Sequence, residues 1–295
     1  FYQQMFNEDF ARLFRSMSSG SGNLFELVSN NGELTQKLLG DVHTRYAPHP
    51  VDEAIQKFVE EIAQSLIWFG RACYSLHDDA EKEKIHVASL STDGVVNLFG
   101  THIQWIPKRT RKHWEREDEK LPREVRILDT AKLMRFDMPT SIKRILFLQN
   151  RTLAVLDKHQ NDISNFHPKA THENPNPTSN FDFKVWKNIQ ERALHHATQG
   201  TGWNGRAYDS TNRSDFLDCH RLIRFRRNQL LLRDDILNQL SSELSRVGKY
   251  YNDEFSVNIS GTDELPSIAH LNELEAKLSC EEVGFSEVID YCYKC

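Results

Sequence analysis

The stretch Val51–Pro107 constrains this chain most, because its apolar period changes once, at a glycine, and the segments on both sides are bounded. Apolar residues fall at 51, 55, 58, 59, 62, 66 and 69, the three-and-four spacing that lays a single stripe along a helix. Pro48 and Pro50 stand just ahead of it, and Asp52, Glu53 and Glu60 lie in its N-terminal half, where the helix dipole favours carboxylates. Gly70 stops the pattern. Beyond it the period is two, in Arg71–Leu76, Ile85–Leu90 and Thr101–Pro107, with charged or glycine-bearing turns at Asp78–Lys84 and Asp93–Gly94. The prediction is an amphipathic helix feeding a small antiparallel sheet.

The rest of the chain reads as mostly helical. Phe1–Ser16 predicts a short helix of the kind that docks on a neighbour, followed by a flexible linker to Gly22. Leu34, Leu38, Leu39 and Val42 predict another helical stretch. Lys108–Glu124 mixes basic and acidic side chains as a solvated loop or arm does. Short strands are expected at Val125–Leu128 and Leu133–Phe136, then a helix over Ser141–Ile163. Ser164–Phe181 holds Pro168, Pro175 and Pro177 among polar residues and reads as an exposed linker. Asp182–Gln199 should be helical, and Gly200–Gly205 a flexible loop. From Ser214 to Val247 there is neither glycine nor proline, so the longest helix is placed there; at ~1.5 Å per residue it runs on the order of 50 Å. A strand near Phe255–Ile259 and a helix over Ile268–Leu278 complete the pattern. The expected division is 1–50 as N-terminal helices and linker, 51–163 as an α/β domain, 164–181 as linker and 182–295 as a helical domain.

Composition excludes some functions. With 295 residues, 39% hydrophobic and 27% charged, and a net charge of −5, bulk charge makes no case for nucleic acid. No run approaches the roughly 18 apolar residues of a membrane span. Five scattered cysteines suit a reducing compartment better than a disulfide framework.

Motifs that carry chemistry are few. Cys292 and Cys295 have the two-residue spacing of zinc ligands, yet with Cys280 they make only three thiols, and a fourth ligand such as His270 would have to be recruited. No metal or cofactor is expected. His195 and His196 stand outside any H-E-x-x-H arrangement and read as surface or capping residues. Gly200–Gly205 precedes a helix but lacks the Lys-Ser/Thr of a phosphate cradle. Arg221, Arg224, Arg226, Arg227 and Arg233 cluster on the long helix. They either track a nucleic-acid backbone, which needs positive charge and no sequence code, or pair with carboxylates such as Asp215, Asp218, Asp234 and Asp235 of the same or a neighbouring subunit. No residue set forms a catalytic constellation, although sites assembled from distant residues leave no local signature.

Residues 51–139 resemble the wing region of tailed-bacteriophage portal proteins. The resemblance is carried by an amphipathic helix ending Leu66-Ile-Trp-Phe-Gly-Arg-Ala-Cys-Tyr-Ser-Leu76, by strands closing on Ile103-Gln-Trp-Ile-Pro107, and by a charged insertion leading to Leu133-Met-Arg-Phe-Asp-Met-Pro139. It covers about a third of the chain. It implies an α+β fold, a portal-like wing plus a long helix, and a ring of subunits, usually twelve, through which double-stranded DNA enters and leaves a capsid. It further implies a virion or host-cytoplasm location, capsid and terminase as partners, and no catalysis. Under it the long helix is a candidate for the DNA channel or a subunit contact, and 108–124 for contact between subunits. The competing reading is a nucleic-acid-acting enzyme or toxin-like effector that uses the Arg221–Arg233 helix to hold substrate; a partner-binding adaptor is a third.

Overall fold

The computed structural model describes residues 6–16, 23–40, 42, 50–79, 84–90, 92–106, 124–160, 194–203 and 214–294. In chain order the main elements are β1 (Phe25–Ser29), α1 (Gly32–Leu39), α2 (Val51–Phe69), β2 (Arg71–Asp79), β3 (Lys84–Ser89), β4 (Val95–Leu98), β5 (Thr101–Ile106), β6 (Glu124–Leu128), β7 (Leu133–Asp137), α3 (Thr140–Gln160), α4 (Asp215–Gly248), β8 (Val257–Gly261), α5 (Ile268–Ser279) and α6 (Phe285–Lys294). The fold is α+β, with small antiparallel sheets among helices. None of the described helices is long and apolar enough to cross a membrane. The expected linker at 164–181 and most of the charged arm at 108–124 lie outside the described residues.

The chain groups into two compact units, each drawn from segments distant in sequence: Ser18–Met138 with Arg233–Leu265, and Phe1–Met17 with Pro139–Leu232 and Pro266–Cys295. Helix α4 contributes its second half to the former and its first half to the latter.

The first of these units is built around α2. Its stripe places Ile55, Phe58, Val59, Ile62, Ala63 and Leu66 in the core. The helix ends where Gly70 takes φ 75°, with its N–H donating to the Leu66 carbonyl at 2.7 Å, a C-terminal turn that glycine adopts without steric cost. The chain then enters β2 at once. Phe58 meets Tyr74 of β2 edge-on, with ring centroids 4.9 Å apart, and Phe136 of β7 at 6.2 Å. Tyr74 and Phe136 close the triangle at 5.9 Å. Burial, with Glu61 nearby, pushes the Tyr74 phenol far above its ordinary range, so this core tyrosine stays protonated.

One correction concerns the sheet. The expected single sheet is in fact divided: β2 pairs with β3 and β7, whereas β5 pairs with β4 and β6. Val95 and Leu128 of the second sheet turn toward Cys73, Leu90 and Leu133, a small core of its own. A further pair, β1 with β8, joins residues 25–29 to 257–261. Two serines one turn apart on α4 hold β8: Ser241 and Ser245 accept the N–H groups of Ile259 at 2.9 Å and Val257 at 3.0 Å.

In the other unit Phe10–Phe14 forms a short 3₁₀ helix within the stretch expected to be helical. Phe6, Phe10, Leu13 and Phe14 are buried, and Phe6 packs edge-on against Phe225 of α4 at 6.0 Å. This segment docks on its own chain.

Candidate functional site

The first half of α4 concentrates the polar groups that the sequence singles out. Cys219, Ile223, Arg226, Leu230, Arg233, Leu237, Leu240 and Leu244 alternate steps of four and three, and every one of them is buried. Two of the five arginines therefore occupy core positions of an apolar stripe. A guanidinium taken out of water must have its donors satisfied within the protein.

Most of these donors find partners; the buried Nε atoms of Arg221 and Arg227 make no hydrogen bond. Arg226 is 1% exposed; its Nε donates to the Cys292 carbonyl at 2.8 Å, Nη1 to Gln229 Oε1 at 2.8 Å, and Nη2 lies 3.9 Å from Asp9 Oδ2. Gln229 in turn donates to the carbonyls of Phe6 and Glu8 at 2.8 and 3.0 Å. Arg233 is buried and bonded to Asp234 at 2.8–2.9 Å. Arg221, also buried, reaches Thr198 Oγ1 at 2.9 Å, the Trp203 carbonyl at 2.7 Å and the His195 carbonyl at 3.3 Å. Arg227 is half-buried and pairs with Glu275, which also accepts from His220 at 3.2 Å. Burial pulls the Glu275 carboxyl up, but Arg227 and His220 together outweigh it and leave it below the usual carboxylate value. Arg224 alone of the five is exposed, with Nη1 donating to the Gln199 carbonyl at 3.1 Å.

The glycine-rich segment also differs from expectation. Residues 200–203 are packed against α4, not free. Thr198 and Thr201 are buried, Thr201 Oγ1 donates to Gln149 Oε1 of α3 at 2.6 Å, and Asn228 donates to the Gly200 and Thr201 carbonyls at 3.2 Å. Gly202 has φ 82°, and a Cβ there would sit 2.5 Å from the Arg221 carbonyl oxygen and 2.6 Å from the Phe225 nitrogen. Only glycine permits so close an approach of loop to helix. Trp203 then reaches back to the N-terminal segment, donating from Nε1 to Glu8 Oε2 at 2.7 Å.

Arg224 borders an open cleft of about 550 Å³ whose walls are Ile145, Leu148 and Thr152 of α3 and His196, Ala197, Gln199 and Gly200. The Arg224 guanidinium places a positive charge at the edge of this cleft, beside the His196 ring. Cys280 is exposed at the end of α5, Cys292 is buried in α6, and Cys295 lies outside the described residues. The His270 ring lies tilted against Tyr291, with ring centroids 4.4 Å apart. Among the described residues, no group of three or more His, Cys, Asp or Glu is placed to hold a metal ion.

Sequence reasoning missed the buried polar set of Gln149, Thr198, Thr201, Asn228 and Gln229. For Arg226 and Arg233 a signal was present: both fall on the apolar stripe of α4, seven residues apart.

These features define an α+β protein whose conspicuous arginines are bonded mainly within the chain. No family model and no curated protein matches it. Among solved structures it is similar to the virion of a native gene transfer agent particle, with 11% identity, a TM-score of 0.47, and coverage of 95% of this chain and 84% of that one. It is similar to an HK97 family phage portal protein from Corynebacterium diphtheriae, at 9% identity and a TM-score of 0.41, covering 92% and 93%. The neck of an empty gene transfer agent particle gives 12% identity and a TM-score of 0.45, covering 95% and 85%.

Proposed function

We propose that this chain is a structural, portal-like subunit that assembles with copies of itself into a ring for the passage of double-stranded viral DNA, and that it catalyses no reaction. The observation that carries this reading is the unit built on residues 51–139: the order helix, glycine, strands, on which the resemblance rests, is realised as one compact piece with α2 packed on β2 and β7. The buried arginines support it, because the nucleic-acid-enzyme reading needs those charges on the surface, whereas Arg221, Arg226 and Arg233 are spent on fixing the chain to itself.

In a ring, subunits meet through a heterologous interface that closes. The family it resembles uses twelve copies, with a capsid and a terminase as partners. Arg224, the exposed arginine beside the cleft, is the residue of the five assigned to DNA or to a neighbouring subunit. Mass photometry of the purified chain tests the reading: a discrete species of many copies is expected, and a monodisperse monomer at micromolar concentration overturns it.

A further inference from the structure

Antiparallel sheets that pack one face on a core ordinarily turn polar side chains to the other. The sheet β4-β5-β6 does not follow this. Its inner face holds Val95, Gln104 and Leu128. Cross-strand pairing of Val96 with Ile103, Ile103 with Ile127, and Trp105 with Val125 sets these residues and Leu98 together on the outer face. Val96, Leu98, Trp105, Val125 and Ile127 are all exposed, Ile127 at 76%. No charged residue stands among them.

The hairpin tip adds to this. Leu98 pairs with Thr101, leaving Phe99 and Gly100 as a two-residue turn with φ 51° and 87°. Both values are positive, as a type I′ turn requires, and Asn-Gly is the pair that best satisfies it. Here the first position holds phenylalanine, a bulky residue in a backbone region that disfavours it, and Phe99 is 107% exposed. Neither folding nor solubility accounts for that choice. Departures from local rules of this kind collect at sites with another task.

We infer that the outer face of β4-β5-β6, with Phe99 at its tip, is an interface for a second copy of this chain. Its area favours this occupant: the exposed apolar side chains present roughly 600–700 Å², at the upper end of what a monomer leaves bare and near the ~800 Å² per partner of a standard protein interface. A membrane surface is a poorer fit, because interfacial binding to anionic lipid draws on Lys and Arg beside the aromatic residues, and the described residues of this face include none. A charge-free apolar face packs instead on another apolar face, about 10 Å away when both are sheets. The inference rests on the self-assembly reading above and gives it a surface.

Two variants of the full chain, Phe99→Asn and Ile127→Asp, test it by sedimentation velocity across a concentration series, with thermal melting alongside. Phe99→Asn suits the turn better than the native residue, so its melting temperature should equal or exceed that of the wild type while its self-association midpoint rises at least tenfold. Ile127→Asp, at an exposed position, should fold and also associate at least tenfold more weakly. Wild-type assembly that persists unchanged in both variants overturns this interface and leaves the ring reading standing. A wild type that forms only a closed dimer, lost in both variants, upholds the interface and overturns the ring. A wild type that stays monomeric throughout overturns both.

Discussion

Arg226 carries a full charge at a position 1% exposed, and three acceptors surround it. Arg226→Ala removes a large buried side chain and takes the donor from Gln229 Oε1, so a loss of about 3 kcal/mol is expected in urea unfolding at neutral pH. Arg224→Ala, three helical positions from Arg221 but exposed, should change stability by no more than about 0.5 kcal/mol and should weaken retention of double-stranded DNA by the assembled protein in a filter-binding assay. Gly202→Ala forces a Cβ against two backbone atoms of α4; backbone cannot yield as a side-chain tip can, and a loss on the order of 2 kcal/mol is expected. The inward direction of Arg226 and Arg233 was legible, because the four-and-three stripe passes through them. Arg221 was not: its acceptors on Thr198 and Trp203 lie in a loop that only tertiary packing brings to the helix.

Helix α2 and its glycine stop are readable from sequence because apolar spacing, acidic first turn and Gly70 all agree, and nothing tertiary opposes them. What periodicity cannot give is pairing: Ile103 and Val87 alternate alike, yet they fall in different sheets. Strand β1 escaped notice because its partner β8 is more than two hundred residues away. The α2–sheet contact predicts that Phe58→Ala, which opens the triangle with Tyr74 and Phe136, costs ~3–5 kcal/mol in denaturant unfolding. A second element-scale prediction concerns the end of β2. Partial burial pulls the Asp78 carboxyl up, but hydrogen bonds from Lys132 and Tyr251, each 2.5 Å, outweigh this and hold it below its ordinary value. The Asp78 bond likewise holds Lys132 above its own. A lowered carboxyl stabilises the fold above its unfolded value, near pH ~4, and that share is lost as pH falls through the folded one. The raised ammonium contributes below about pH 10 and fades as pH rises through its folded value. Asp78→Asn should therefore cost the same stability across the neutral range and progressively less in acid, where the wild type loses the same bonds; urea midpoints at pH 3 and pH 7 compare the two.

Across the molecule, the described polar groups are directed largely to holding segments distant in sequence: Gln229 to Phe6, Trp203 to Glu8, Arg246 to the Thr130 carbonyl. One sheet face meanwhile carries a charge-free cluster of exposed apolar side chains, Val96, Leu98, Trp105, Val125 and Ile127, with a strained aromatic at its tip. That distribution suits a subunit whose work is assembly. Negative-stain electron microscopy of the purified wild-type chain tests the ring most directly. Class averages with rotational symmetry around a central opening are expected; particles of monomer size, or closed dimers without an opening, contradict the ring.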